Sequence, residues 1–318
     1  MPKGRGESRK ETLLSAIRID SLCRKFGDNI VVSDLTFDVK ELEIFTLLGA
    51  NGAGKTTTIK MLTTLLRPTS GTATILGRDI VRETDEVRKL VSLMPQGNAL
   101  DPFLTAHDNV VFFAKLMRLE TGVWKKRAKE ILAELDIVRC NNQPVLSLSG
   151  GQFRRLQIAR TLLTNRPVVF LDEPTLGIDI GGKMKVWELI KRYRCQNGWT
   201  VVLSTNDMAE AEYLSDRIAF LHCGTIRRIG TPAEVKGLLD GQCIYIKYAS
   251  CPTNVPSSIV GCSVEQTDDS TIVVHLTGIV SDIRPILQAA GDLGDISQLV
   301  TERPSLTDVF RQVQEEAT

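Results

Sequence analysis

No stretch of this 318-residue chain approaches the run of about 20 apolar residues that spans a bilayer. The longest uninterrupted apolar segments, such as Val168–Leu171 and Ile218–Leu221, have the length of buried strands. The first residues lack the apolar core of a secretory signal. The expectation is a soluble, cytoplasmic protein whose membrane role, if it has one, comes through a partner. Charge of one sign is also missing. Lys and Arg total 39 against 38 Asp and Glu, so no global field points to nucleic acid. Histidine is scarce, at three, and the seven cysteines contain no CxxC pair. Those absences exclude a zinc site or disulfide framework and favour reduced thiols.

What is present is ordinary globular composition, with 42% hydrophobic residues, and a change of texture along the chain. Residues 1–14 carry Lys3, Arg5, Arg9 and Lys10 and read as a solvated basic tail, with contact to anionic lipid as the other reading. Strands are expected at Ile30–Val39, Glu43–Leu48, Thr72–Leu76, Leu90–Met94, Val168–Leu171 and Thr200–Ser204. Helices are expected from Lys55 to Leu66, through Thr105–Leu135, and at Gly150–Thr164, Lys183–Tyr193 and Ala209–Leu214. This alternation predicts an α/β core on a mainly parallel sheet over residues 15–240. Beyond it, strands at Cys243–Tyr248, Ile259–Glu265 and Thr271–Leu276 and helices at Ile279–Ala290 and Ser305–Val313 predict a small α+β domain over 241–318.

The strongest chemical signal is Gly49-Ala50-Asn51-Gly52-Ala53-Gly54-Lys55-Thr56, which fits G-x-x-x-x-G-K-[ST] between a strand and a helix. Glycines let the backbone curl with its N–H groups inward around a polyphosphate, and the helix N-terminus adds partial positive charge. Lys55 supplies a full charge to the phosphates, and the Thr56 hydroxyl is a ligand for Mg²⁺. A second glycine loop, Leu148-Ser149-Gly150-Gly151-Gln152, opens another helix and forms a second anion site. Val168 to Pro174 then ends an apolar strand in Asp172-Glu173.

In this order the motifs resemble those of ATP-binding-cassette (ABC) transporter ATPases, over roughly Ile17 to Leu239. The resemblance implies a P-loop NTPase cassette: a parallel-sheet core, an antiparallel β subdomain and a helical subdomain at about 100–165. It assigns Gly49, Asn51, Gly52, Ala53, Gly54, Lys55, Thr56 and Thr57 to ATP. Thr56, Gln96 and Asp172 go to Mg²⁺, and Glu173 becomes the general base. Phe26 stands where an aromatic stacks on adenine, and Gly177-Ile178-Asp179 where a loop crosses a dimer interface. The resemblance further implies that two cassettes, identical or not, sandwich ATP between one chain's Lys55 loop and its partner's Ser149–Gln152 loop, and that both drive a separate transmembrane permease at the inner face of the membrane. Within the family it is closest to the daunorubicin-resistance exporter type, including the closing Arg303–Phe310 segment. A ribosomal or DNA-repair ATPase fits poorly with a single cassette and neutral charge. A regulatory ATP binder and an importer ATPase remain as alternatives.

Two positions depart from the pattern. Asn206 stands where the family has a catalytic histidine; its amide can donate a hydrogen bond but cannot become charged or relay a proton. Leu42-Glu43 replaces a common Gly-Glu turn, where a local change is expected.

Overall fold

The computed structural model describes residues 15–237, 243–252, 254–276, 283–302 and 305–315. The basic tail at 1–14 and the Arg303-Pro304 start of the closing motif therefore lie outside the described residues. The chain divides into two compact units, Met1–Ile229 and Gly230–Thr318.

The first unit opens with β1 (Ser15–Phe26) and β2 (Asn29–Lys40), an antiparallel pair. β1 escapes sequence reading because register shifts between Ile19 and Leu22, with Ser21 at φ 49°, break its apolar alternation. β3 (Ile44–Leu48) leads to α1 (Lys55–Leu62). That helix ends four residues short of the expected Leu66: Thr63 Oγ1 bonds back to Ile59 O at 2.8 Å, and Thr64 turns left-handed at φ 61°. β4 (Ser70–Ile75) and β5 (Arg78–Asp79) form the expected hairpin around Gly77. Next come α2 (Thr84–Leu90) and β6 (Val91–Met94), so Leu90 closes an unforeseen helix instead of opening the strand. The helical region is two helices, α3 (Ala106–Leu116) and α4 (Thr121–Glu134), broken where Arg118 adopts φ 53°.

α5 (Gly150–Leu162), β7 (Val168–Asp172), α6 (Ile180–Asn197), β8 (Thr200–Thr205), α7 (Met208–Leu214), β9 (Arg217–His222) and β10 (Thr225–Gly230) complete this part of the chain. β2-β1-β4-β5 form one antiparallel sheet, and β10-β9-β3-β8-β7-β6 form a second whose β9, β3, β8, β7 and β6 run parallel. The parallel sheet is buried on both faces. Val169, Leu171, Val201 and Leu203 pack with the helical region, and Val168, Phe170, Val202, Phe45 and Leu47 pack with α1 and the antiparallel sheet.

The second unit holds α8 (Pro232–Gly237), β11 (Cys243–Tyr248), β12 (Ser258–Ile259), β13 (Cys262–Asp268), β14 (Thr271–His275), α9 (Arg284–Gly291), β15 (Ile296–Glu302) and α10 (Leu306–Glu315). Its sheet runs β12-β13-β14-β11-β15 and buries Ile244, Ile246, Ile272 and Val274 against Ile286 and Ala290 of α9. The single strand expected at Ile259–Glu265 is a tight hairpin, because Val260 and Gly261 both take positive φ (51° and 79°) and pair Ile259 with Cys262. β15 was not expected. The start of the helix foreseen from Ile279 lies outside the described residues.

Leu42 adopts the left-handed φ of 60° that glycine tolerates freely, and its side chain is exposed. Its backbone is held there by Thr200 Oγ1, which accepts from Leu42 N at 3.0 Å, and by Arg194 Nε, which donates to Leu42 O at 2.6 Å. A left-handed non-glycine residue costs roughly 1–2 kcal/mol. Leu42→Gly is expected to raise unfolding free energy by about 1 kcal/mol, the strain relief being partly offset by backbone entropy, while Leu42→Ala gains nothing. Denaturant unfolding of both variants checks this.

Candidate functional site

The site assembles where parallel strands stop. β3 runs into Gly49, where a Cβ would lie 2.3 Å from Leu221 O, so only glycine allows the loop to press against β9. At the other end of the loop Gly54 caps α1 with φ 104°, and its Cβ would meet Val31 O at 2.8 Å. The loop surrounds a cavity of about 380 Å³ lined by Asn51, Gly52, Gly54, Lys55, Thr56 and Thr57, with Val31, Gln96 and Glu173 opposite. Gly49 and Ala53 back the loop; the Ala53 side chain is in the core.

Lys55 is 4% exposed, and its ammonium donates to Gly49 O at 2.8 Å and Ala50 O at 2.9 Å. Glu173 Oε1 is 3.7 Å away. Burial depresses the Lys55 pKa, and the nearby Glu173 and Asp172 only partly counter that effect. Thr56 Oγ1 lies 3.2 Å from Asp172 Oδ1 and 3.4 Å from Gln96 Oε1, which brings the three expected Mg²⁺ ligands together. Gln96 Nε2 donates to Glu173 Oε2 at 2.8 Å, so the expected base is engaged on both oxygens. Glu173 itself is left-handed at φ 51°, and its N–H donates to Ser204 O at 3.0 Å and Ser204 Oγ at 3.1 Å. Residues strained in this way concentrate at active sites.

Sequence reading missed Ser204, although strand register sets it opposite Asp172, where its hydroxyl hydrogen-bonds Asp172 Oδ1. It also missed Arg154, Lys183 and Glu210. Lys183 pairs with Asp207 at 2.6 Å. Glu210 is buried and accepts from Thr175 Oγ1 at 2.8 Å and Trp187 Nε1 at 2.9 Å; desolvation raises its pKa. Lys183, Asp207, Thr175 and Glu210 line, with Glu173 and Asn206, a smaller cavity of about 110 Å³. Asn206 is exposed, and its amide donates to Asn51 Oδ1 at 3.4 Å, which places it between the loop and Glu173.

The second glycine loop stands apart from the first cavity. Ser149 Oγ accepts from Gln152 N at 3.3 Å while Gln152 Oε1 accepts from Ser149 N at 2.9 Å, a reciprocal cap on α5. Gly150 has open space where a Cβ would be, and Gly151 approaches only Gly177 and Ile178. Asp179 caps α6 by accepting from Gly182 N at 2.8 Å, which lowers its pKa. Phe26 is 47% exposed with the Arg24 guanidinium 4.4 Å from its ring centroid, and it does not line the cavity.

The ABC transporter family pattern matches residues 32–176. The chain is 33% identical over 303 residues to a daunorubicin resistance ATP-binding protein of Streptomyces coeruleorubidus, covering 93% of this chain and 95% of that one. This chain belongs to the ABC transporter family. The ATP-binding cassette is also 35% identical over 228 residues to a linearmycin resistance ATP-binding protein of Bacillus subtilis, covering 72% and 73% of the two chains. Among solved structures, the cassette resembles a dimeric bacterial ABC transporter cassette with TM-score 0.62 and 29% identity over 68% of this chain and 98% of that one. A post-hydrolysis cassette dimer bound to ADP and Pi matches with TM-score 0.62 and 28% identity over the same shares. The P-loop cassette fold and its class of activity, ATP hydrolysis, follow from these matches.

Gly54→Ala puts a Cβ into a left-handed site facing Val31 O, so the variant is expected to lose nucleotide retention by at least tenfold, about 1.4 kcal/mol. Equilibrium binding of a fluorescent ATP analogue measures the loss.

Proposed function

We propose that this chain is the ATP-hydrolysing subunit of an exporter, bound at the cytoplasmic face of a membrane to a separate permease that carries a drug-like, lipid or polysaccharide cargo. One observation carries the reading: Lys55, Thr56, Gln96 and Glu173 line one cavity, with Asp172 bonded to Thr56 behind it, while Ser149 and Gly150 of the second loop are exposed and lie outside that cavity. Half a site of each kind fits a head-to-tail pair, in which each cavity is closed by the other chain's signature loop.

The donor set fits a magnesium–nucleotide complex. Mg²⁺ binds through one or two protein oxygens and keeps phosphate and water for the rest. Thr56 and Asp172 supply such oxygens with Gln96 beside them, and no cluster of three acidic, His or Cys side chains is found among the described residues. The bound complex supplies the cleavable phosphoanhydride and its counter-charge. Lys55 then neutralises phosphate in place of two backbone carbonyls. Glu173 takes the proton of the attacking water, an assistance of about 10²–10⁴ in rate. Gln96 holds the Glu173 carboxylate, and Asn206 offers its amide to the same region without a proton to give.

No helix among the described residues is long and apolar enough to cross a membrane. An exposed apolar surface nevertheless marks the helical region. Phe103 and Leu146 are 83% and 73% exposed, and their segments lie side by side through Leu146 N donating to Pro102 O. Phe112 and Leu116 add one more exposed pair a helical turn apart. Such a patch suits a protein partner, here the cytoplasmic surface of the permease. Similarity to the daunorubicin resistance protein across both units, at 93% of the chain, favours export over import.

Glu173→Gln should leave ATP binding intact, abolish turnover and trap a dimer with Mg·ATP. Light scattering that shows a monomer at saturating nucleotide would overturn the two-chain site. Asn206→His should raise steady-state ATPase by roughly tenfold, since a charge-assisted bond is about twice as strong as a neutral one; an unchanged rate removes Asn206 as the limit on turnover.

A further inference from the structure

Arg154 is a cation that the site's chemistry has not used. It lies on α5 five residues past Ser149 and is 5% exposed. A buried charge is costly unless its donors are satisfied, and Arg154 meets that cost with backbone and amide oxygens instead of a carboxylate. Its Nη2 donates to Asp172 O at 2.7 Å and also to Glu173 O. Nε donates to Glu173 O at 3.2 Å. Nη1 reaches the other segment, donating to Gln96 O at 3.0 Å and Pro95 O at 3.4 Å, and also to Gln157 Oε1 at 2.9 Å. Gln157, one turn along the same helix, donates through Nε2 to Gly97 O at 2.8 Å.

One planar fork therefore grips the peptide units of two residues, Gln96 and Glu173, whose side chains meet 2.8 Å apart in the nucleotide cavity. The segments come from different strands, β6 and β7, and the grip comes from the helix headed by the signature loop. A lysine has no such fork and cannot span both segments with fixed geometry.

We propose that Arg154 is a positioning residue that ties the register of the Gln96–Glu173 pair to α5, so that a contact made at Ser149–Gln152 is felt at the water-activating carboxylate. The inference rests on the reading of Glu173 as base. A purely structural part, satisfying carbonyls at the ends of β6 and β7, would lower stability and leave the chemistry of the folded fraction alone.

The test compares the full chain with Arg154→Met, Arg154→Lys and Glu173→Gln, measuring kcat and KM for ATP, binding of a fluorescent ATP analogue, and Tm. The expected result is kcat reduced about 10²-fold in Arg154→Met, the penalty typical of reacting groups displaced by about 1 Å, with KM and analogue affinity changed by less than threefold. Arg154→Lys should restore Tm more than it restores kcat. Wild-type kcat in either folded Arg154 variant overturns the proposal, as does parallel loss of binding and turnover. Failure of both variants to fold also overturns it, because Arg154 would then belong to the core. If Glu173→Gln keeps wild-type turnover, the base assignment falls; if Glu173→Gln is inactive and the Arg154 variants are not impaired, only the present inference falls.

Discussion

A lysine ammonium removed from water, with carbonyl dipoles and one shared carboxylate for company, is the constraint around which this cassette is arranged. Lys55 is 4% exposed, and desolvation dominates its electrostatics. Its nearest carboxylate, Glu173, is 3.7 Å away and also bound to Gln96. A group so placed has much to gain from a polyanion, which returns the electrostatic partner that burial removed. The flanking glycines serve the same end: they let the chain fold tightly enough to bury the lysine without closing the space in front of it.

The parallel sheet converts that constraint into geometry. β3, β6, β7 and β8 stop at the same edge and there hand over the loop, Gln96, the Asp172–Glu173 pair, and Asn206. Ligand sites at the carboxyl ends of parallel strands are the general rule for open α/β sheets. In this chain the pairing of Asp172 with Ser204 shows its cause: a one-residue slip of β7 against β8 would separate the hydroxyl from the carboxylate it holds and release the Glu173 N–H as well. Burial of both sheet faces makes such a slip costly, so the hydrophobic core fixes the positions of polar atoms.

The loops were legible in sequence because their chemistry is local. Gly49 through Thr56 must be small, charged and hydroxylated at set spacings, and Ser149 through Gln152 cap their own helix. β7 was legible from the four adjacent apolar residues Val168–Leu171, which leave no solvent-facing side. Reading failed where long-range contacts decided the outcome. β1 owes its existence to pairing on both sides, which its bulges conceal, and α2 is seven residues whose helical pattern is too short to stand out. The Val260–Gly261 turn hides inside an apolar-looking run. Ser204 and Arg154 carry no motif at all, since their partners are distant backbone and carboxylate atoms. Glu210, by contrast, announces itself only through burial, which a sequence does not print.

Asn206 has a consequence beyond speed. No histidine lines the nucleotide cavity among the described residues, and an amide keeps the same charge across the physiological range. Mild acidification would thus find no imidazole lining this cavity to protonate, and the nucleophile left there for an acylating reagent is the buried Lys55 amine.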